Sequence, residues 1–346
     1  NQNGNIANHV YTQYGIYKVK LFVESVEGCS DSTYLNVQVY PQSIVNINPD
    51  TTFDCLKGNF IEYFTQSRVN GPGSIANYLW NFGDGSSSVS KFTNHKYAYN
   101  SLFNVKLSVT TDQGCVDSAT ALINVYPQTL VDYAINADTQ CLTNNLFTFT
   151  NNSTISYPTK SVFYKWKISD GYQGFSPSIN RSFLTQGSYK IDLMTNTNFG
   201  CKDTVSKFIF VAPMPDANFI VDNPNQCQNI GIFNFANYSK VSIGGLKYNW
   251  NFGDGNMSTV INPSIKFANP GVYISRLIAI SDFGCSDTFY GKLSAIESPT
   301  VDLPNFRLAC EYDTLSLVPY IEGYKPLIYS WNGPNGFTDA TPRIFF

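Results

Sequence analysis

Few side chains in this sequence are of types that do chemistry, and their spacing is the first clue to their use. The 346 residues include two histidines, His9 and His95, in the matching strings Asn8-His9-Val10-Tyr11 and Asn94-His95-Lys96-Tyr97. A general base or a metal ligand must keep its imidazole. The next two places in the same register hold Arg181 and Ile265, so the histidines read as structural. Asp84, Asp112, Asp254 and Asp282 are the candidate calcium ligands. Calcium needs several converging oxygens. These carboxylates are scattered singly, so no metal and no cofactor is expected. The sequence has no Gly-x-Ser-x-Gly, no paired zinc-ligand spacing and no phosphate loop. It reads as non-enzymatic.

What remains reactive is sulfur. Eight cysteines fall into two series: Cys29, Cys115, Cys201 and Cys285, each after a glycine, and Cys55, Cys141, Cys227 and Cys310. Thiols spaced this regularly point to disulfides and an oxidising compartment.

The elements that position them repeat along the chain. Trp80-Asn81-Phe82-Gly83-Asp84-Gly85 returns intact as Trp250-Asn251-Phe252-Gly253-Asp254-Gly255, and a worn copy, Trp166-Lys167-Ile168-Ser169-Asp170-Gly171, lies between them. Trp and Phe two apart point the same way from a pleated strand, into a core. The glycines supply positive φ, and the Asp accepts backbone hydrogen bonds in the turn. Ser169 in place of the first Gly would ruin a catalytic geometry but not a turn. After each hexad comes an alternating strand, such as Phe103-Asn104-Val105-Lys106-Leu107. The strand holding Tyr17, Val19, Leu21 and Val23 has the same alternation and is expected to be half buried. Helical periodicity is absent.

Pro41, Pro127, Pro213 and Pro299 recur every 86 residues and mark stiff junctions, since Pro donates nothing to a ladder. They divide the chain into residues 1–41 (the back half of a repeat), 42–127, 128–213, 214–297 and 298–346 (the front half of a further one). Each full repeat opens with a strand followed by a cysteine turn at Cys55, Cys141 or Cys227. The chain is therefore expected to be a piece of a longer protein, with export signals outside it. The aromatic content of 15% against 14% charged residues suits several small all-β cores. A net charge of −3 without a basic cluster gives no reason to seek nucleic acid. No apolar run approaches the roughly 18 residues of a membrane span.

The motif Trp-x-Phe-Gly-Asp-Gly, then His-x-Tyr, then Gly-x-Tyr-x-Val (Gly15-Ile16-Tyr17-Lys18-Val19) resembles the PKD domain, an immunoglobulin-like β-sandwich. The Gly-Cys-x-Asp-Ser/Thr ending, as in Gly114-Cys115-Val116-Asp117-Ser118, resembles PKD arrays in surface proteins of gliding bacteria that use type IX secretion. The resemblance implies an all-β chain of tandem immunoglobulin-like (PKD-type) β-sandwiches, arranged head to tail as an extended rod. It covers residues 1 to 297. Beyond that, Trp331-Asn332-Gly333-Pro334-Asn335-Gly336-Phe337 resembles a hairpin of related immunoglobulin-like adhesin modules. Some PKD modules bind Ca²⁺, which is why the aspartates above are candidates. The triplets Asp117-Ser118-Ala119 and Asp203-Thr204-Val205 resemble an O-glycosylation sequence of such bacteria, making Ser118 and Thr204 candidate sites. The plainer reading is a local hydrogen bond at a strand entry.

The resemblance also bears on the cysteines. Pairing within repeats would join Cys55 to Cys115, Cys141 to Cys201 and Cys227 to Cys285. In an immunoglobulin-like sandwich, however, the first turn and the last hairpin lie at opposite ends. Strands of eight to ten residues separate those ends by roughly 30 Å, against the 7 Å or so a disulfide spans. The favoured pairing is between neighbouring repeats: Cys55 with Cys201 and Cys141 with Cys285. Cys29 and Cys115 would then pair upstream, and Cys227 and Cys310 downstream.

Three functions fit such an array. The first is a structural stalk or filament segment of a large bacterial surface adhesin, extracellular, with neighbouring repeats as its partners. The second is a binding array for surface polysaccharide or for other cell-surface proteins. The third is the non-catalytic tail of a secreted hydrolase.

Overall fold

The computed structural model describes residues 6–155, 162–303, 308, 310, 316–323, 326–333, 336–342 and 344–345. Its named elements are all β-strands. The chain divides into two compact units, one of Asn1–Ala134, Thr150–Ile179 and Ile191–Lys207, the other of Ile135–Phe149, Asn180–Lys190 and Phe208–Phe346.

The first unit contains the whole of residues 42–127 as a two-sheet sandwich. One sheet runs in the order Thr93–His95, Ile61–Phe64, Asn48–Pro49. The other runs Phe53–Cys55, Val116–Tyr126, Ser101–Thr111, Ile75–Asn81, Ser87–Ser88. Alternation sets the core: Phe103, Val105, Leu107 and Val109 are buried while Asn104 and Lys106 between them face water. Trp80 lies opposite Leu107 in the ladder, and the Tyr63 ring stands 5.5 Å from Trp80 and 5.3 Å from Phe82. Burial of each such side chain contributes about 1.5–3 kcal/mol.

The opening strand of this sandwich changes sheets. Asn48–Pro49 pairs with Ile61–Phe64, whereas Phe53–Cys55 pairs in parallel with the last strand, Cys55 opposite Tyr126. Cys55 therefore ends a short strand rather than sitting in the turn expected from the sequence. The reason is that the chain, once across, finds the open edge of Val116–Tyr126 and its amides pair there.

The same unit holds a ribbon of Gly15–Glu24 against Ser30–Val39, paired from Gly15↔Val39 to Glu24↔Ser30. The sequence promised a half-buried strand. Instead Val19, Leu21 and Val23 are 41%, 59% and 55% exposed, where their counterparts Val105, Leu107 and Val109 are 0%. The difference is the opposing sheet: Val105 faces one, and the ribbon has none among the described residues. From residues 128–213, this unit takes Val162–Ile168, paired from Val162↔Thr197 to Ile168↔Ile191. Trp166 packs edge-on against Tyr133, 5.0 Å away.

The second unit contains residues 214–297 as the equivalent sandwich. Its sheets are Phe219–Val221, Phe233–Asn237, Ser264–Ile265 and Asn225–Cys227, Ser286–Ile296, Gly271–Ser281, Leu246–Asn251, Met257–Ser258. Its core gathers Phe219, Phe233, Phe235, Trp250, Phe252, Phe267, Leu277 and Leu293. Residues 128–213 contribute Thr139–Cys141, again parallel to a last strand, with Cys141 opposite Ala212, and the buried pair Phe147 and Phe149. Toward the C-terminus, Thr300–Asp302 pairs with Tyr320–Glu322 and Trp331–Asn332 with Thr338–Asp339. Pro334 and Asn335 of the expected hairpin lie outside the described residues.

Candidate functional site

Two disulfides join neighbouring repeats. In the first unit Cys55 is bonded to Cys201, with Cα atoms 5.5 Å apart. In the second Cys141 is bonded to Cys285, at 5.6 Å. The strand Val116–Tyr126 shows why a repeat does not close on itself. Cys115 precedes its first residue and Cys55 pairs with its last, so the eleven residues of the strand, about 36 Å, hold the two sulfurs apart. Cys227 opposite Ile296 and Cys285 just before Ser286 repeat the arrangement. Among the described residues Cys29, Cys115 and Cys227 have no disulfide partner.

Non-covalent contacts surround each bond. Beside Cys55–Cys201, the Tyr126 ring stacks on Phe199 at 4.1 Å and 7°. Lys57 Nζ lies 2.5 Å from Asp203 Oδ1, and Gln128 Nε2 donates to the Lys202 carbonyl at 2.7 Å. Lys57 is largely exposed, and its ion pair adds little. Beside Cys141–Cys285, Phe283 again supplies the hairpin ring, meeting Phe210 at 5.1 Å. Gln186 and Ser242 hydrogen-bond at 2.8 and 3.1 Å.

The tryptophan hexads are anchored turns. In each, the indole N–H donates to the carbonyl ten residues on: Trp80 to Ser90, Trp166 to Ser176 and Trp250 to Val260, at 2.8–2.9 Å. Trp331 donates to Thr341 in the same way at 2.9 Å, although the sequence around it has drifted. Gly83 has φ +83°, and a Cβ there would meet the Asn104 carbonyl at 2.9 Å; Gly253 matches it against Ile274 at 2.8 Å. The Asp closes the turn by accepting the amide two residues on: Ser86, Tyr172 and Asn256 donate to Asp84, Asp170 and Asp254 at 2.9–3.0 Å.

The second carboxylate oxygen explains the histidine. His95 Nε2 lies 2.6 Å from Asp84 Oδ2, and its ring stacks on Phe82 at 4.3 Å. In the fourth repeat, where Ile265 replaces it, Asn256 Nδ2 donates to Asp254 Oδ2 at 2.8 Å instead. Burial raises the Asp84 carboxyl, but hydrogen bonds from the Ser86 side chain and amide and from His95 outweigh it and hold it below the usual range. The buried Tyr63 and Tyr97 hydroxyls lie 2.8 Å apart, and Tyr97 donates onward to the Phe82 carbonyl at 3.2 Å. Burial, with a smaller push from the nearby Asp84 charge, drives the Tyr97 phenol up to about 12, and burial pushes Tyr63 higher still.

Among the other candidates, Asp112 accepts from Ser74 and Asp282 from the Gly245 amide. Among the described residues no three His, Cys, Asp or Glu gather as a metal site. Ser118 and Thr204 are exposed on their strands, and each donates its amide to the preceding Asp at 2.8 Å.

Two functional positions escaped the sequence reading. Asn59 and Asn145 are buried, and each bridges two backbone segments. Asn59 Nδ2 donates to the Leu56 and Tyr97 carbonyls at 2.7 and 2.9 Å, while its Oδ1 accepts the Tyr97 amide at 2.7 Å. Asn145 does the same for Leu142 and Phe183. The available signal was their shared place in the repeat, one residue after Gly58 and Asn144, both at positive φ.

These features meet in known families. Residues 44–125 and 211–292 match the PKD domain family. The PKD matches take in both intact hexads. A microbial collagenase of Vibrio alginolyticus is 35% identical over 63 residues, 18% of this chain; the chain spans 8% of that relative's length. The solved PKD1 domain of Vibrio anguillarum Epp is 25% identical, the match covering 25% of this chain and 96% of that one, with a TM-score of 0.23. The titin I-band fragment I67–I69 is 12% identical, covering 75% and 99%, with a TM-score of 0.38. The chain folds as tandem immunoglobulin-like β-sandwiches, with PKD domains at residues 44–125 and 211–292. Its disulfides require an oxidising compartment, and with the PKD domains they point to an extracellular protein. Among the described residues no helix is long and apolar enough to cross a membrane.

Proposed function

We propose that the chain is a segment of a structural stalk in a large bacterial cell-surface adhesin, holding a binding tip away from the cell. The observation that carries this reading is that successive repeats are covalently joined, Cys55 to Cys201 and Cys141 to Cys285. The repeated features serve cores, turns and junctions. On this reading the repeats meet at the prolines, as residues 1–41, 42–127, 128–213, 214–297 and 298–346, and gliding-type surface export through type IX secretion brings the array outside. A stalk needs reach and continuity, not affinity. The purified chain should therefore show no saturable binding to bacterial or matrix polysaccharides, or to surface proteins, tighter than a Kd of about 1 mM. In the producing cell, exchanging residues 42–297 for unrelated sandwiches of equal length should preserve adhesion. Loss of adhesion on that exchange, with surface display intact, would overturn the reading.

One cleft favours a polysaccharide-binding array as the second reading. Phe64 and Phe92 are exposed, 6.2 Å apart, beside Asn48, Gln66 and Lys91. Phe92→Ala should then abolish any sugar binding that the intact chain shows. The likeness to a collagenase supports the third reading, a non-catalytic tail of a secreted hydrolase.

A further inference from the structure

The two disulfides interleave. Their half-cystines occur along the chain as 55, 141, 201 and 285, with the first bonded to the third and the second to the fourth. Each bond can be treated as a node. Three stretches of backbone then run between the same two nodes: residues 55–141, 141–201 and 201–285. Residues 1–55 enter at one node and 285–346 leave at the other.

We propose that residues 55–285 form a triple covalent tether that survives proteolytic nicking. Hydrolysis of a peptide bond adds one water, leaves a new carboxylate and a new ammonium, and touches neither disulfide. A cut in any one stretch leaves two covalent routes between the chain ends, and cuts in two stretches leave one. All three must be cut before the ends part. Pairing within repeats would give no such redundancy, because a single cut between Cys115 and Cys141, or between Cys201 and Cys227, would separate the pieces.

Exposed loops are where proteases act, and each stretch has one. Asp138 is exposed in the first, Leu184 is 93% exposed in the second, and Asp222 and Asn223 are exposed in the third. An extracellular chain meets proteases continually, and a stalk is useless once severed. The tether deepens the stalk reading in that sense, although its covalent topology stands without it. The same topology limits extension. Under tension the shortest stretch, 141–201, is drawn taut first, and the other two hang slack beside it.

The test inserts one specific-protease site after Asp138, Leu184 or Asp222 of the otherwise unchanged chain, made in an oxidising compartment. The sites are combined singly, in pairs and all together, and the products are run with and without reductant. Without reductant, single and double cuts should leave one species of full mass, and the triple cut should give two. With reductant every cut should release its fragments. Separation by any single cut without reductant would overturn the proposal. Should an insertion disturb folding, the unaltered chain can be pulled from its ends in a single-molecule experiment. Its fully extended length should then be roughly half that of the reduced chain, by residues 1–55, 141–201 and 285–346 alone; equal lengths would also overturn the proposal. Saturable binding by the uncut chain would remove the stalk reading and leave the tether intact, so the two failures are distinct.

Discussion

Cys55 and Cys201 stand 146 positions apart in the sequence, and their Cα atoms lie 5.5 Å apart. Each belongs to a different repeat, so the bond constrains a loop holding more than one hydrophobic core. Closing so long a loop removes up to about 5 kcal/mol of unfolded-state entropy, and observed losses on removing native disulfides run about 2–5 kcal/mol. Cys55→Ser should lower stability by about 2–4 kcal/mol, read by urea unfolding under tryptophan fluorescence. The neighbouring ion pair is a contrast. Lys57→Ala should change stability by less than about 0.5 kcal/mol, because its ammonium is solvated. A larger effect of Lys57 than of Cys55 would reverse this account of the junction.

Acid should act through Asp84. Its carboxyl titrates below its ordinary value when folded, so its contribution is present above the unfolded carboxylate pKa and is lost as pH falls through the lowered folded one. Asp84→Asn should cost about 1–3 kcal/mol at neutral pH, since charged hydrogen bonds from Ser86 and His95 are lost. The gap between variant and parent should close in acid, below the ordinary carboxylate range. Urea midpoints at the two pH values check this, and a gap that widened in acid would contradict it.

The two glycines of one turn should differ. Gly83 and Gly85 both have positive φ, but a Cβ at Gly83 would lie 2.9 Å from the Asn104 carbonyl, while nothing stands within 4 Å at Gly85. Gly85→Ala should cost about 1–2 kcal/mol for the backbone alone. Gly83→Ala should cost more, because the neighbouring strand must shift. Thermal melts of the two variants give the order directly.

The buried tyrosine pair should be asymmetric. Tyr97→Phe leaves the Tyr63 hydroxyl without its bond and should cost about 1–3 kcal/mol. Tyr63→Phe removes a donor, and Tyr97 keeps the Phe82 carbonyl, so it should cost less. The double variant should cost less than the sum, as expected for a coupled pair. Absorbance at high pH should show the Tyr97 phenol resisting ionisation to about pH 12, unless the fold is lost first.

Glycosylation has a direct readout. Material from the producing cell should carry a sugar mass increment on the peptides containing Ser118 and Thr204, whose hydroxyls stand on exposed strand positions. Bare peptides would leave the Asp–amide hydrogen bond as the whole purpose of these triplets.

Much of the fold was legible because β-structure writes its burial with period two. Trp80 and Phe82, or Phe103, Val105 and Leu107, identify their core face from spacing alone. The hexad turns were legible through Gly and Asp, whose backbone roles are local. Asn59 and Asn145 were not. In a stretch such as Lys57-Gly58-Asn59 an asparagine reads as a turn residue, and only its contact with Tyr97, 38 positions on, reveals a buried bracket. The ribbon at Gly15–Glu24 misled in the opposite sense, since alternation records which face is apolar but not whether anything covers it.

The sequence by itself determined the hexad turns and the core faces of the long strands, because each depends on neighbours within a few positions. It narrowed the cysteines to two series and, through the topology of the fold it resembles, favoured partners about 145 residues apart over partners about 60 apart. The tertiary structure decided that pairing. The opening strand changes sheets and carries Cys55 to the far end of Val116–Tyr126 from Cys115, and a disulfide cannot span a strand's length. Sheet crossing depends on which edge is open once the chain has folded, and no local pattern of residues encodes it.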